Sequence, residues 1–432
     1  MLTTLKPSSD QQQVHTMQNN KLRELVHYLH GHSPFYRGLF STHHIDPSSI
    51  RTTDDLVRIP TTSKEDLQQR NDDFLCTTHN SIVEYCSTSG TLGRPVTIAL
   101  TEKDLQRLEY NEYNTFTMAG NGKAGDLFQL MLTLDRQFMA GIAYHQGLRK
   151  LGAGIIRLGP GVPSMQWETI LKLKPTAIVA VPSFILKLIQ YAEEHGIDMK
   201  STSVRRAICI GENVRNADLT LNELGKRITA AWPIDLYSTY ASTEMQTAFT
   251  ECHPGSGGHL QPDLIIVEIL DENDNRVPEG EAGEVTITTL GVEGMPLLRY
   301  KTGDICRLIY ETCKCGRSTP RLSPLICRKK QMIKFKGTTL YPPALFDLLN
   351  GLEEVNDYVV EVYSNEVGLD EVIFHLDAVG EMEQLNSMIR AYLQARLRVI
   401  PHIRFVSADD LKKMQFPESG RKVVRFIDKR TS

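Results

Sequence analysis

The chain has 432 residues and a formal net charge of −4, and hydrophobic residues make up 41% of it. This length predicts two or three domains with a large core, and the mixed charges argue against a nucleic-acid partner. No apolar run approaches a membrane span and residues 1–13 lack a signal-peptide pattern, so we expect no membrane association and a cytoplasmic location. Eight cysteines are too few for a disulfide scaffold, which favours reduced thiols or a metal site.

The first predicted element is an amphipathic helix with Leu22, Leu25 and Leu29 on its apolar face, and it ends near Gly31. A stretch rich in glycine and hydroxyl residues follows later, at residues 85–97, with the sequence YCSTSGTLGRPVT. Such a stretch can turn backbone N–H groups and hydroxyls towards a phosphate, and a solvated turn between strands explains it equally well. Its glycine spacing is too short for a Walker A loop. The candidate phosphate-binding residues are Ser89, Gly90, Thr91, Gly93 and Arg94.

Residues 100–235 alternate between helical and strand-like patterns. The predicted helices cover Thr101–Tyr113, Phe138–Leu151, Trp167–Leu173 and residues 182 to about 195. The predicted strands cover Leu127–Leu132, Gly154–Leu158, Thr176–Val181 and Ala207–Ile210. This alternation predicts right-handed crossovers and a mostly parallel sheet, with ligands beyond the carboxyl ends of the strands. Residues 181–183 and the segment Gly211, Glu212 and Asn213 fall at such ends.

A further strand-like run begins at Asp235 and continues into Tyr240, Ala241, Ser242, Thr243 and Glu244. A carboxylate beside a phosphate loop is electrostatically costly unless a cation lies between them. Magnesium is commonly held by one or two carboxylates together with substrate phosphates, so Glu244 is a candidate magnesium ligand. The alternative is a surface acid that caps a helix.

The cysteines of the middle of the chain suggest a second metal. Cys313 and Cys315 form a tight pair, and an earlier glycine-rich loop offers Cys252 together with His253 or His259. Three thiolates and one imidazole are typical of structural zinc. We prefer His259 as the fourth ligand because the glycines before it allow the chain to turn back. Free thiols and a surface histidine are the alternative.

Residues 263–270 and 283–289 alternate like strands, and a Gly-Asp turn follows at Asp304. A carboxylate at such a turn can accept hydrogen bonds from the two vicinal hydroxyls of a ribose, although Thr-Gly-Asp is also a common turn. The last hundred residues predict a small α+β unit. Its predicted strands are Val355–Val362, Glu371–Asp377 and Ile403–Val406, and its predicted helices are Glu381–Leu397 and Asp409–Met414.

Taken in order, these motifs resemble the adenylate-forming (acyl-CoA synthetase) superfamily, and most closely its phenylacetate–CoA ligase branch. The glycine-rich stretch is similar to the SSGTTGKP loop of that family, and residues 300–304 match its Tyr-x-Thr-Gly-Asp motif in full. The family motif Tyr-Gly-x-Thr-Glu is matched at Tyr240, Thr243 and Glu244, with Ala241 in place of the glycine. The resemblance covers nearly the whole chain.

The resemblance implies an α/β fold with a large N-terminal domain of residues 1–328, which holds the nucleotide, acyl and zinc sites, and a small lid domain of residues 329–432. It implies a hinge at Lys330 and a ribose contact from Arg328. The segment with Lys336, Gly337 and Tyr341 is expected to approach CoA. Lys422 is the expected catalytic lysine, together with Thr243 and Glu244. Because Arg421 stands where the family has glycine, it stays open which of these two cations enters the site.

The implied function is an ATP-dependent carboxylate–CoA ligase for phenylacetate or a related aryl acid, with ATP, magnesium, CoA and a structural zinc. Adenylyl transfer to a deazaflavin cofactor and acyl transfer to a carrier protein are the enzymatic alternatives. A nucleotide-binding scaffold whose zinc loop docks a partner is the alternative outside enzymology. A homodimer is left open.

Overall fold

The computed structural model describes residues 11–88, 95–365, 368–416 and 423–430. The chain forms two compact units, one of residues 1–221 and 225–325 and the other of residues 222–224 and 326–432. Both units combine helices with sheets, so the α/β class predicted from the sequence is confirmed. Among the described helices, none contains a stretch that is long and apolar enough to cross a membrane.

The predicted helices and strands of the first unit appear in the predicted order, together with further elements that were not predicted. Its helices are α1 (Gln11–His32), α2 (Pro34–Thr42), α3 (Lys64–Gln69), α4 (Glu102–Met118), α5 (Met139–Leu151), α6 (Pro163–Leu173), α7 (Pro182–Glu194) and, for the most part, α8 (Glu223–Ala231). Its strands are β1 (Ile82–Ser87), β2 (Thr97–Thr101), β3 (Leu127–Leu130), β4 (Gly154–Arg157), β5 (Ala177–Ala180), β6 (Arg206–Ile210), β7 (Asp235–Ser242), β8 (Thr247–Glu251), β9 (Gly258–His259), β10 (Ile265–Leu270), β11 (Ala282–Thr289), β12 (Tyr300–Ile309) and β13 (Arg321–Leu322). The largest differences from the predicted bounds are in α4, which ends at Met118 rather than Tyr113, and in α6, which begins at Pro163 rather than Trp167.

A long sheet crosses the first unit in the strand order β10-β11-β12-β13-β9-β8-β7-β6-β5-β3-β4. In this order, neighbouring strands from β7 to β4 pair in parallel. Neighbouring strands from β10 to β7 pair in antiparallel fashion. Strands β1 and β2 form a separate antiparallel hairpin. The parallel part places the carboxyl ends of β3, β5, β6 and β7 at one edge of the sheet, where ligands of such sheets bind.

Helix α4 packs against the sheet and against α5. It begins at a capping box in which the Thr101 and Asp104 side chains each accept a hydrogen bond from the other residue's backbone N–H. Gly147 of α5 permits the close approach of the two helices, because a Cβ at this position would lie 2.4 Å from the Cβ of Glu112. Arg107, on the same helix, is buried with 1% of its surface exposed.

The second unit is a small sheet covered by helices. Its helices are α9 (Pro342–Asn350), α10 (Met382–Leu397) and α11 (Ala408–Gln415). Its strands are β14 (Cys327–Arg328), β15 (Ile333–Phe335), β16 (Thr338–Leu340), β17 (Val355–Ser364), β18 (Asp370–Ala378), β19 (His402–Phe405) and β20 (Phe426–Asp428). The main sheet has the order β19-β18-β17-β20, so the predicted edge strand near Ile403 does lie at an edge. Leu385, Ile389 and Leu393 of α10 belong to its apolar core.

Candidate functional site

The carboxyl ends of the parallel strands bring several predicted motifs together. Strand β5 leads directly into the N-terminus of α7, and β6 leads into Gly211. Ile210 of β6 pairs with Thr239 of β7 in parallel. Gly211 and Tyr240, the residues that follow this pair, therefore lie side by side at the same edge. The structure thus places the candidate segments 181–183, 211–213 and 240–244 side by side.

The residues at the ends of the candidate phosphate loop are bonded to each other and to the connection that follows β3. Ser89, Gly90, Thr91, Gly93 and Arg94 fall outside the described residues. The residues that flank them are joined by two hydrogen bonds, from Thr88 N to Val96 O at 2.9 Å and from Val96 N to Thr88 Oγ1 at 3.0 Å. Ser87 N donates to Gln137 O at 3.0 Å, in the connection that follows β3. These bonds hold the two ends of the loop together and attach Ser87 to the connection between β3 and α5.

The segment after β6 uses its side chains to hold neighbouring backbone. Gly211 has a φ of +77°, which favours glycine at this turn. Glu212 Oε2 accepts a hydrogen bond from Ser183 N at 2.8 Å, at the N-terminus of α7, where the helix dipole favours a negative charge. Asn213 Nδ2 donates to Leu325 O at 2.8 Å. Glu212 and Asn213 therefore stabilise the backbone around Ser183 and Leu325.

Asp304 and Tyr240 meet across the sheet. The Tyr240 hydroxyl donates to Asp304 Oδ2 at 2.7 Å. The register between β11 and β12 shifts at Asp304, where Gly303 has a φ of +77°, so a bulge turns the Asp304 side chain out of the regular alternation. Burial and the Asp304 charge raise the pKa of Tyr240 well above its usual range, which keeps this hydroxyl protonated as a donor.

Glu244 lies in the turn between β7 and β8 and is 8% exposed. The nearby cation is Lys64 at the start of α3, whose Nζ lies 3.7 Å from Glu244 Oε1. Ser242 Oγ accepts a hydrogen bond from Met245 N at 3.3 Å within the turn, and Thr243 is half-buried. Ala241, where the resemblance expects glycine, is exposed. The sequence prediction missed Lys64, because nothing in the printed sequence brings residue 64 next to residue 244.

Arg107 of α4 donates hydrogen bonds to the β7–β8 turn and to neighbouring backbone. Its guanidinium donates to the carbonyl oxygens of Gln246 and Leu264, to Leu290 O at 2.8 Å and to Thr247 Oγ1 at 2.9 Å. Burial lowers the pKa of Arg107 to about 10, so the group is a cation at neutral pH. An arginine in the middle of an amphipathic helix is usually read as part of its solvated face, and the sequence prediction missed this residue as well.

The remaining predicted nucleotide, hinge and CoA residues lie in the second unit. Arg328 is in β14, and Lys330 is in a single 3₁₀ turn, Lys329–Gln331. Lys336 and Gly337 form the turn between β15 and β16, and both have positive φ, as in the two-residue turns typical of hairpins. Tyr341 caps α9. Arg421 and Lys422 lie outside the described residues.

At the other end of β8, four candidate metal ligands converge. One ligand atom each from Cys252, His259, Cys313 and Cys315 lies within 4.8 Å of the others. Cys252 Sγ is 3.4 Å from Cys313 Sγ and 3.3 Å from His259 Nε2. The Cys252–Cys313 separation is too long for a disulfide, whose sulfur atoms lie about 2.05 Å apart. His253 points elsewhere, since its Nδ1 lies 3.3 Å from the Tyr237 hydroxyl.

The donor chemistry of this cluster fits a zinc ion. Burial and the Arg317 and Arg321 charges lower the pKa of His259 to about 3, so the imidazole is neutral and can act as a ligand. Burial raises the pKa of the Cys252 thiol, and a bound cation would offset that cost by favouring the thiolate. Tetrahedral zinc binds thiolates at about 2.3 Å and imidazoles at about 2.0–2.1 Å, which requires ligand atoms grouped as closely as these.

Comparison with known proteins gives one family match, two relatives and one similar crystal structure. A family model described as "AMP-binding enzyme" matches residues 41–294. A phenylacetate-coenzyme A ligase of Thermus thermophilus is 28% identical over 365 residues, which cover 83% of this chain and 80% of that protein. One of Escherichia coli K12 is 26% identical over 397 residues, which cover 91% and 87% of the two proteins. A crystal structure of 2-hydroxyisobutyryl-CoA ligase in complex with R3-HIB-AMP aligns with a TM-score of 0.83 at 22% identity, covering 99% of this chain and 94% of that one. This last similarity shows a common fold.

Proposed function

Since the chain belongs to the AMP-binding enzyme family, we propose that it is an ATP-dependent acid–CoA ligase that acts through an acyl-adenylate. The family match and the phenylacetate–CoA ligase relatives confirm the resemblance predicted from the sequence. One observation carries the proposal. Asp304 is held by Tyr240, which lies four residues before Glu244 at the carboxyl end of β7, next to the carboxyl end of β6.

In the first half-reaction, a substrate carboxylate attacks the α-phosphorus of ATP, forming the acyl-adenylate and releasing pyrophosphate. We assign the ribose hydroxyls to Asp304 and Arg328, and the adenine side to Gly211 through Asn213. The glycine-rich loop, residues 89–94, would bind the phosphates. Charge grows on the phosphoryl oxygens in the transition state, and Lys422 would stabilise it.

The residues around Glu244 fit a magnesium ion, because a buried carboxylate and the Thr243 hydroxyl are oxygen donors of the kind that magnesium prefers. Bound magnesium would neutralise phosphate charge. Lys64 already neutralises part of the Glu244 charge in this structure, so Lys64 and a cation would share that carboxylate.

In the second half-reaction, the CoA thiol attacks the acyl-adenylate carbonyl carbon and AMP leaves. Lys336, Gly337 and Tyr341 are the proposed CoA contacts. One arrangement of residues cannot suit both halves, so the proposed lid of residues 329–432 would rotate about Lys330 relative to residues 1–328.

For the cluster of Cys252, His259, Cys313 and Cys315, we propose a structural zinc. All four positions are protein ligands, so a tetrahedral ion there would have no open position for catalysis. We propose phenylacetate or a related aryl acid as the substrate, on the strength of the two named relatives, and a cytoplasmic location.

Pyrophosphate release, measured across a panel of carboxylic acids with and without CoA, tests this function. We expect aryl acids to be the best substrates and AMP formation to require an acid. Thioester that forms only with CoA supports the ligase. Acid-dependent adenylate that is turned over by a carrier protein but not by CoA contradicts it, as does activity that requires a deazaflavin. Nucleotide binding without acid-dependent turnover would favour the scaffold alternative.

A further inference from the structure

Arg430 follows β20, and each of its five N–H donors has an acceptor. Nε donates to Asp428 Oδ1 at 2.8 Å and Nη2 to Asp428 Oδ2 at 2.6 Å, which is the bidentate geometry of a strong arginine–carboxylate pair. Nη1 donates to Asp370 Oδ2 at 3.1 Å. The two remaining donors reach backbone carbonyls, from Nη1 to Met332 O at 2.8 Å and from Nη2 to Lys330 O at 3.1 Å. Only an arginine side chain offers five donors in this planar arrangement.

The same network continues to the β15–β16 hairpin. Asp370 Oδ2, which accepts from Arg430, also accepts from Lys334 N at 2.7 Å. Lys334 is the middle residue of β15, directly before the turn of Lys336 and Gly337. One guanidinium and two carboxylates therefore tie residues 330–334 to the start of β18 and to the end of β20.

We propose that Arg430 is a positioning residue that fixes residues 330–334 to the sheet of the second unit. The inference rests on the proposed function, because it concerns the segment assigned there as the hinge. Since the Lys330 carbonyl is held by Arg430, the backbone can pivot only on the N-terminal side of that carbonyl. Everything from Met332 onward, including the Lys336–Gly337 turn, then moves with β17, β18 and β20 as one body.

The burial of the two neighbouring cations separates this role from an ordinary surface ion pair. The Arg430 side chain is 16% exposed, whereas that of Lys429 is 58% exposed. Lys429 Nζ pairs with Glu361 Oε1 at 2.9 Å and its N–H donates to Val362 O, so both of these bonds go to β17 rather than to residues 330–334. Lys429→Gln is therefore the matched control for Arg430→Gln.

The experiment uses the full-length protein and measures two quantities. Backbone hydrogen–deuterium exchange is followed for residues 330–336, and the two half-reactions are measured separately with phenylacetate, as pyrophosphate release and as thioester formation from synthetic phenylacetyl-adenylate. Losing charge-assisted bonds to two carbonyls should accelerate exchange in Arg430→Gln by about tenfold or more. Both half-reactions should slow by about tenfold, because each needs a defined orientation of the second unit. Lys429→Gln should change neither quantity more than about twofold.

Arg430→Lys keeps the charge but has too few donors for both carbonyls and both carboxylates, so it should show the same faster exchange even if Arg430→Gln fails to fold. Unchanged exchange at residues 330–336 in the folded variants would overturn the proposal, and so would faster exchange with both half-reactions at the wild-type rate. A wild-type protein that adenylates no acid contradicts the proposed function instead, while the exchange measurement still decides whether Arg430 holds the segment.

Discussion

The two ends of the β7–β8 hairpin carry opposite kinds of chemistry. At the turn, Tyr240 and Glu244 present oxygen atoms beside Asp304 and one cation, Lys64, along an edge of the sheet. At the far end, Cys252 is part of a closed group of four ligand atoms. We call the turn of residues 240–244 the open end of the hairpin, because it lies at the carboxyl ends of parallel strands, where ligands of such sheets bind. We call the cluster of Cys252, His259, Cys313 and Cys315 the closed end, because all four of its positions are protein ligands. Because one hairpin carries both groups, the effect of a substitution at one end can be measured at the other.

Helix α4 runs along the hairpin and contacts both ends. Arg107 donates to the turn through Gln246 and Thr247, and Met118 packs against Cys252 at the far end. Between them, Thr115 Oγ1 lies 3.2 Å from Thr250 Oγ1 of β8. The helix therefore links the two ends through polar and apolar contacts, and substitutions at either end should be distinguishable by what they leave intact.

The largest effect is expected from breaking the closed end. Cys313→Ala should remove the zinc and strongly destabilise the first unit, since structural zinc contributes roughly 10–16 kcal/mol of apparent binding free energy in small peptides and a domain is stable by only about 5–15 kcal/mol. Elemental analysis should give about one zinc per wild-type chain and none in the variant. Cys209→Ala, a buried cysteine outside the cluster, is the control and should retain the metal. Elemental analysis that finds no zinc in the purified wild-type protein would contradict the prediction.

The next largest effect is expected from Lys422, the proposed catalytic lysine. Lys422→Ala should slow adenylate formation by about a hundredfold or more, because one well-placed donor to the transition state is worth roughly 3–4 kcal/mol. Conversion of pre-made acyl-adenylate into thioester should stay close to normal. Arg421→Ala is the control. If Arg421→Ala abolishes adenylation while Lys422→Ala spares it, the register of the tail is shifted by one residue. Equal damage to both half-reactions would contradict the rotation of the lid.

Removing the hydrogen bonds of Arg107 to the turn should destabilise the protein without removing the proposed metal. Arg107→Met removes four buried hydrogen bonds, and at about 0.5–1.5 kcal/mol net for each bond we expect a loss of roughly 2–6 kcal/mol in the free energy of unfolding. Denaturant titration measures this loss, and the zinc content should be unchanged. Lys103→Met, on the same helix, removes only an exposed pair with Glu293 and should cost less than about 1 kcal/mol. Equal losses in the two variants would show that Arg107 does not hold the turn.

Within the open end, Asp304 should matter more for ATP than for the acid. Asp304→Ala removes the proposed ribose acceptor, and bonds to a charged group contribute about 1.5–3 kcal/mol each, so ATP affinity should fall by at least about tenfold. Calorimetric titration with ATP and with phenylacetate compares the two ligands. Unchanged ATP affinity would show that the ribose assignment is wrong.

The smallest effect is expected from Tyr240→Phe, which removes the bond to Asp304 Oδ2 and keeps the carboxylate. One hydrogen bond of this kind contributes about 0.5–1.5 kcal/mol, or up to about 3 kcal/mol with a charged acceptor, so ATP affinity should fall less than in Asp304→Ala. The same titration decides the order. A larger loss in Tyr240→Phe would mean that the ring itself, rather than its hydroxyl, contributes most to nucleotide binding.

The sequence predicts those parts of the molecule that depend on periodicity and on local turn chemistry. The apolar spacing of α10 and the proline at the start of α7 predicted both helices to within one residue at each end. Helix α4 was predicted too short, because Thr115 is polar yet buried and interrupts the apolar pattern. Periodicity reports which residues are apolar, and it carries no information about buried polar residues whose partners lie elsewhere in the chain.

The candidate site shows the same division. Glu244 and Asp304 stand out because of the motifs around them, whereas Lys64 and Arg107 act through contacts with residues more than a hundred positions away in sequence. The bulge at Gly303 is another case, since the Thr-Gly-Asp turn indicates a break in the strand but not the direction in which Asp304 then points. Contacts between distant segments require the folded chain, because their geometry is set by the packing of the whole unit.

The clasp between Thr88 and Val96 has a consequence for protein engineering. Two hydrogen bonds and the paired strands β1 and β2 close the base of the loop, so residues outside residues 89–94 hold its two ends together. Doubling the length of a closed loop costs only about 0.6 kcal/mol in entropy. Libraries that vary the sequence or length of residues 89–94 would therefore show how far phosphate binding can be altered while the bonds between Thr88 and Val96 are kept.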